Sequence, residues 1–173
     1  LFELTEIYKE KIEEKQLSIK IKNSLNEPTY ILAEYESLVT SVLGNVFYNA
    51  IKFSPKGSEI ALGIEIAPSG VRVTIEDRGI GMPAIMVEKL FQPAQLPSRP
   101  GTDGEPGSGF GMSICKAYMD MYDGLIEVES RPKNDYPNNH GTKVTLVFRP
   151  GSLSTHPMRS ANRSVAATNA RAF

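Results

Sequence analysis

The 173-residue sequence predicts an α/β two-layer sandwich: a mixed, mostly antiparallel sheet of about five strands with three helices on one face. Three observations carry that expectation. The segments 59–67 (EIALGIEIA) and 70–77 (GVRVTIED) alternate apolar and polar residues and are joined by a short Pro-Ser-Gly turn, the pattern of a half-buried hairpin. A second alternating pair follows at 125–130 (LIEVES) and 142–148 (TKVTLVF). Segments of helical period lie between them, giving the order strand, helix, hairpin, helix, loop, helix, hairpin.

Each element has a local cause. Leu1, Leu4, Tyr8 and Ile12 fall on one helical stripe with glutamates elsewhere, so the chain opens on an amphipathic helix in need of a partner. From Leu17 the period changes to two, with Leu17, Ile19 and Ile21 set against Ser18, Lys20 and Lys22; a short strand is expected near Tyr30 to Leu32. A long helix is expected from Glu34 to about Phe53, stopped by Ser54-Pro55-Lys56-Gly57. A short helix fits Pro83 to Phe91, since proline is welcome in a first turn. Residues 92–108 are dense in glycine and proline and lack an apolar period, the character of a lid. A third helix is expected from about Gly109 to Tyr122.

Composition narrows the function. With 19 basic and 20 acidic residues the net charge is −1, which argues against nucleic acid as a partner. A single cysteine suits a reducing compartment, and no apolar run approaches membrane-spanning length, so a cytoplasmic domain without membrane contact is expected. The abrupt helical start suggests a fragment of a longer chain, whose other parts could carry a membrane anchor. Residues 150–173 lack acidic side chains and are expected to be a disordered tail or residues appended to the natural protein.

Three features could do chemistry. GEPGSGFGM (104–112) sets alternating glycines before a helix. It fits neither the dinucleotide fingerprint, which needs glycine where Met112 stands, nor a P-loop, which needs lysine where Phe110 stands. Bare N–H groups at a helix start suit an anion, and a mobile surface loop is the alternative. In the long helix, Val39, Leu43, Val46, Phe47, Ala50 and Ile51 fill one face while Ser41, Asn45, Asn49 and Lys52 line the opposite one. Asparagine is a poor helix residue unless its amide has a partner, although two surface asparagines one turn apart also arise by accident. Asp77 shares the core face of its strand with Val71, Val73 and Ile75, and Gly79 and Gly81 follow it. A purine amino group would satisfy a buried carboxylate there, whereas a strand-end aspartate capping the next helix or binding Arg78 is the plainer reading.

In order and spacing, these stretches resemble the ATP-binding catalytic domain of sensor histidine kinases, of the Bergerat-fold ATPase superfamily. GNVFYNAIKFS is similar to the family's N box, DRGIGM to its G1 box, KLFQP to its F box, GSGFGM to its G2 box and HGTKVTLVF to its last strand. The resemblance covers about Leu17 to Phe148. It implies residues 1–16 as the end of a dimerisation and phosphoacceptor helix, 17–149 as the catalytic domain with its lid at 92–108, and ATP with Mg²⁺ as the ligands. Asn49 would hold Mg²⁺, with Asn45 and Lys52 near the phosphates and Phe53 against adenine. Asp77 would accept from the adenine amino group, Gly79, Ile80, Gly81 and Met82 would shape the base pocket, and Thr142 would support adenine through water. Arg99 would contact the γ-phosphate. The run Gly107, Ser108, Gly109, Phe110, Gly111 and Met112 would close over the phosphate chain.

The same resemblance implies phosphoryl transfer to a histidine upstream of Leu1, on a helical hairpin that also makes the parent a homodimer, and relay to the receiver domain of a response regulator. Superfamily members that hydrolyse ATP carry a glutamate where Asn45 stands, and an amide is no general base, which favours transfer over hydrolysis. His140 and His156 read as incidental. Phe110 and Met112 stand where leucines are common, Asp123-Gly124 where two glycines are usual, and the 131–140 loop is long; these put lid packing in question more than nucleotide binding. The competing readings are a nucleotide-sensing module without catalysis, and a serine kinase or ATPase of the same superfamily.

Overall fold

The computed structural model describes residues 1–92 and 99–151. Two short helices, α1 (Phe2–Ile7) and α2 (Lys9–Glu14), precede strand β1 (Ser18–Asn23). The long helical stretch comprises α3 (Tyr35–Ser37), a π-helical segment (Leu38–Leu43) and α4 (Gly44–Phe53). The hairpin β2 (Glu59–Ala67) and β3 (Gly70–Asp77) follows, then α5 (Ala84–Lys89), α6 (Gly111–Met121), β4 (Leu125–Arg131) and β5 (Gly141–Phe148). The strands form one sheet in the order β1, β2, β3, β5, β4, with β1 parallel to β2 and the other pairs antiparallel. This is the expected mixed five-stranded α/β architecture.

Alternation fixes which face is covered. Ile60, Leu62 and Ile64 of β2 and Val71, Val73 and Ile75 of β3 are buried together with Val46, Phe47, Ala50 and Ile51 of α4. Helix α4 packs on β3, while α5 and α6 lie against β4. The opposite face keeps Lys20, Lys22 and Glu76 exposed.

Four expectations change. The strand near Tyr30–Leu32 is only an isolated bridge, Ile31 with Pro150, reinforced by Gly151 N donating to Tyr30 O at 2.7 Å. Pro150 and Gly151, assigned to the tail from sequence, therefore pair with the domain; the rest of that tail, His156 included, lies outside the described residues. The opening stripe also finds its partner within the domain, because Leu4 is 1% exposed in the common core and the Tyr8 ring meets Phe47 edge-on at 5.7 Å.

The fourth change is the π segment. Gly44 N reaches back five residues to Val39 O, and the loosened carbonyls find other donors. Asn45 Nδ2 donates to Ser41 O at 2.7 Å, and Cys115 Sγ of α6 lies 3.4 Å from Ser41 O and 3.5 Å from Val42 O. Burial pushes the Cys115 thiol up to about 12, so it stays protonated and able to donate. Glu34 caps the start of the stretch by accepting from Glu36 N and Ser37 N.

Candidate active site

A cavity of about 240 Å³ lies between α4, the loop after β3, and the segment leading into α6. One end is built by the sheet. Asp77 ends β3, and strand alternation turns it inward, leaving it 8% exposed. Its Oδ1 accepts from Gly79 N at 2.7 Å and Thr142 N at 3.1 Å. Burial pushes the carboxyl up to about 7, opposed by those two donors. Among the described residues nothing donates to Oδ2, so the group keeps an acceptor for a ligand.

Thr142 faces Asp77 across the β3–β5 ladder and lines the cavity. Its hydroxyl lies 2.8 Å from Ser130 Oγ, which also accepts from Met82 N at 2.9 Å. Sequence reasoning missed Ser130, although the alternation of LIEVES puts it on the inward face with Ile126 and Val128.

The glycines after Asp77 serve a different purpose from the one expected. A Cβ on Gly79 would lie 2.5 Å from Phe53 O, and one on Gly81 would lie 2.0 Å from Arg131 O, with φ already at +63°. They admit the close approach of the protein's own backbone. Gly81 and Met82 line the cavity, but Gly79 and Ile80 do not. The Gly79 amide is committed to Asp77, and Ile80 N donates to Phe53 O at 3.1 Å. His140, read as incidental, bonds through Nδ1 to Gly79 O and so braces this loop.

The other end is built by helices. Asn45, Asn49, Lys52 and Phe53 of α4 all line the cavity. Asn45 commits its amide nitrogen to Ser41 O, which leaves Oδ1 as an acceptor beside Gly111, 3.2 Å from where a Cβ on that glycine would stand. No hydrogen bond to a described residue holds Asn49, so its carboxamide is available. Gly107, Ser108, Gly109, Gly111 and Met112 close this end. Gly109 has φ +77°, and Phe110 at the N-cap of α6 supplies no side-chain acceptor, so the first-turn N–H groups remain open to an anion. Phe110 itself is 48% exposed and stands outside the lining.

Lys52 is 3% exposed, and its Nζ donates to Arg99 O at 2.9 Å. Burial lowers its pKa, and Glu105 nearby opposes that. The Arg99 guanidinium sits 5.7 Å from the Phe53 ring centre, with Nη1 3.4 Å from Gly81 O. Its charge is therefore on the sheet-built side here. Met86 and Leu90 of the α5 region also line the cavity; the sequence offered their i, i+4 spacing as a signal.

Mg²⁺ fits the donor set. Among the described residues no cluster of three His, Cys, Asp or Glu could hold a metal ion. On α4 the carboxamide oxygens of Asn45 and Asn49 suit a hard cation that takes its other ligands from phosphates and water.

A layered sheet with a strand-end carboxylate at one end of its cavity, and carboxamides facing a glycine-rich helix start at the other, is the layout of an ATPase domain. The chain belongs to the family described as histidine kinase-, DNA gyrase B- and HSP90-like ATPases, which matches residues 34–152. It is 33% identical over 133 residues to the adaptive-response sensory kinase SasA of Synechocystis sp., covering 76% of this chain and 33% of that protein. It is 31% identical over 168 residues to the autoinducer 2 sensor kinase/phosphatase LuxQ of Vibrio parahaemolyticus, covering 92% of this chain and 19% of that one. The chain spans a third or less of the length of the curated relatives it matches. The fold is that of the catalytic domain of histidine kinase ThkA, with a TM-score of 0.69 at 23% identity over 85% of this chain and 88% of that one. The mycobacterial sensor histidine kinase MprB gives 0.65 at 23% identity over 87% and 95%.

Proposed function

We propose that this chain is the ATP-binding catalytic domain of a sensor histidine kinase, delivering the ATP γ-phosphoryl group to a histidine elsewhere in its parent protein. The observation that carries the reading is one cavity with Asp77 at the sheet end, and Asn45, Asn49 and the Gly107–Gly111 run at the helix end. Asp77 is the sole carboxylate among the described lining residues, and it lies away from the phosphate end. Among the described lining residues no general base stands there to activate water, which supports transfer over hydrolysis.

In this reading Asp77 Oδ2 accepts from the adenine amino group, and Thr142, oriented by Ser130, supports the ring edge. Phe53 and Met82 flank the base. Asn49 and Asn45 would hold Mg²⁺, which when bound neutralises charge on the phosphate chain. The open N–H groups of α6 and the Lys52 ammonium face the same chain. Arg99 reaches a γ-phosphate only by releasing Gly81. An imidazole nitrogen of the acceptor forms the new N–P bond as the bond from Pγ to the bridging oxygen breaks; ADP leaves and the imidazole proton passes to solvent.

The acceptor histidine belongs on a helical hairpin continuous with residues 1–16, which dimerises the parent. A response-regulator receiver domain takes the phosphoryl group onward; ThkA has been solved in complex with the response regulator protein TrrA, which supports that choice of partner. No helix among the described residues is long and apolar enough to cross a membrane. The test supplies labelled ATP and a dimerisation hairpin in trans. Acid-labile, base-stable label on the hairpin supports the proposal, and tight Mg-ATP binding with no labelled histidine overturns it.

A further inference from the structure

Lys15 lies at the end of α2, on a stretch dense in lysine and glutamate, yet it is 4% exposed. Its Nζ meets four acceptors: Ile51 O and Lys52 O at 3.0 Å each, Thr102 Oγ1 at 2.7 Å and Glu105 Oε1 at 2.8 Å. The first two are carbonyls of the last turn of α4, the negative end of its dipole, which favours a cation; Ile51 O also accepts from Ser54 N at 3.3 Å. The other two belong to the loop that leads into the glycine run. A buried ammonium is tolerated only with such a complete set of acceptors.

The loop side is itself a closed turn. Gly101 N donates to Glu105 O, Gly104 N to Gly101 O, and Asp103 N to Glu105 Oε2. Thr102 N donates to Lys52 O at 3.0 Å, and Thr102 Oγ1 to Ser54 O at 2.9 Å. Burial disfavours the Glu105 carboxylate, but the Lys15 hydrogen bond and the amides around it outweigh that and hold its pKa below the usual value. Gly101 leaves no room for a side chain, since a Cβ would lie 2.1 Å from Glu105 Oε2 and 2.7 Å from Lys52 Cγ. The turn is therefore pinned beneath α4. On one side of it Arg99 O receives Lys52 Nζ, and on the other Pro106 and Gly107 enter the cavity wall.

We propose that Lys15 is a positioning residue for the phosphate end of the site: it fixes the Thr102–Glu105 turn to the end of α4, and through α2 it couples the N-terminal helices to the loop that receives the phosphates. The proposal rests on the nucleotide reading given above. Lys15 makes no contact with the adenine end, where Asp77, Thr142 and Ser130 are held by the sheet and by the loop after β3. Loss of the clasp should therefore weaken binding of the phosphate chain and spare the base. By linkage, a nucleotide bound at the phosphates should stabilise the packing of α1 and α2.

The experiment compares the affinity of the 173-residue chain for Mg-AMPPNP and for adenosine, in the wild type and in Lys15→Met and Glu105→Ala variants. Glu105→Ala serves as the control for folding, because it alters a loop and not the helix junction. The expected result is a loss of roughly tenfold in AMPPNP affinity in both variants with adenosine affinity unchanged. Amide exchange at Tyr8 and Ile12 should slow when AMPPNP binds the wild type, and slow less in Glu105→Ala. Equal losses for the two ligands, or no loss for either in Glu105→Ala, would overturn the assignment of Lys15 while leaving the nucleotide site standing. A wild-type chain that binds neither ligand overturns both readings.

Discussion

The two ends of the cavity are made in different ways. At the sheet end, Asp77, Thr142 and Ser130 sit on paired strands: Asp77 accepts from the amides of Gly79 and Thr142, Ser130 from the Met82 amide, and the Ser130 and Thr142 hydroxyls meet across the ladder. At the helix end, the groups come from α4 and from residues 106–110, which are exposed and rich in glycine. In the proposed reading, a carboxylate on a strand has one orientation and so selects a base by its hydrogen-bonding edge. A glycine run before a helix offers donors without a fixed path, and in this fold Lys15 and Glu105 supply the missing fixed point. On that reading, base recognition is built into folding, while phosphate recognition depends on how neighbouring segments are held.

The largest effect should come from Asp77→Asn. Its Oδ1 can still accept from Gly79 and Thr142, which keeps the fold, but Nδ2 then points a donor at the adenine amino group. Losing a charge-assisted bond and leaving two donors opposed should cost on the order of 1000-fold in affinity for adenosine and AMPPNP alike. Calorimetry showing that either ligand still binds with wild-type affinity would remove Asp77 from the site.

The same residue gives a pH signature. Its folded pKa is raised to about 7 from an ordinary 3.8, so folding favours the protonated form. That contribution is fully present below the unfolded value and is lost as pH rises through about 7. The apo chain should thus lose stability, on the order of a few kcal/mol, between pH 4 and 7 and level off above. Adenosine affinity should move the other way over the upper part of that window, tightening as the carboxylate forms. Denaturant melts and adenosine titrations at matched pH check both slopes; in Asp77→Asn each component should vanish.

At the helix end, Asn49→Ala should lower Mg-AMPPNP affinity about tenfold and leave adenosine binding intact, since its carboxamide is assigned to the metal and phosphates and makes no hydrogen bond to the base. Titration of AMPPNP with and without Mg²⁺ separates metal from phosphate. A loss that persists unchanged without the metal would assign Asn49 to the phosphates instead.

How much of this could be read from sequence follows the same division. The hairpin of β2 and β3, its turn, and the inward carboxylate at its end were legible because strand alternation is local and Ala67 pairs with Gly70 as the spacing requires. The parallel pairing of β1 with β2 was not, since no local pattern tells a half-buried strand which neighbour it will meet. The π segment escaped because its cause is tertiary: Cys115, more than seventy residues away, accepts the role of donor to carbonyls that an α-helix would have kept. Lys15 escaped for a similar reason, being a lysine among glutamates on a charged helix whose acceptors lie at positions 51, 52, 102 and 105. Gly79 and Gly81 were recognised as special, but the group that needs their space is the protein's own backbone at Phe53 and Arg131.

The smallest effect, and the sharpest test of a rigid sheet end, belongs to Ser130. Its hydroxyl accepts from Met82 N, and it shares a hydrogen bond with Thr142 Oγ1 while lying 3.1 Å from Gly141 O. Ser130→Ala leaves the Met82 amide without its acceptor and frees the Thr142 hydroxyl to rotate, while the Thr142 amide still binds Asp77. The cost should be one neutral hydrogen bond, about 1 kcal/mol, read as a roughly fivefold loss in adenosine affinity. Because AMPPNP shares the adenosine end, its affinity should fall by the same factor, in contrast to the Asn49 variant. Ser130→Thr retains the hydroxyl and should recover most of the loss. A selective loss for AMPPNP, or no recovery with threonine, would mean that the base is positioned by something other than this pair of hydroxyls.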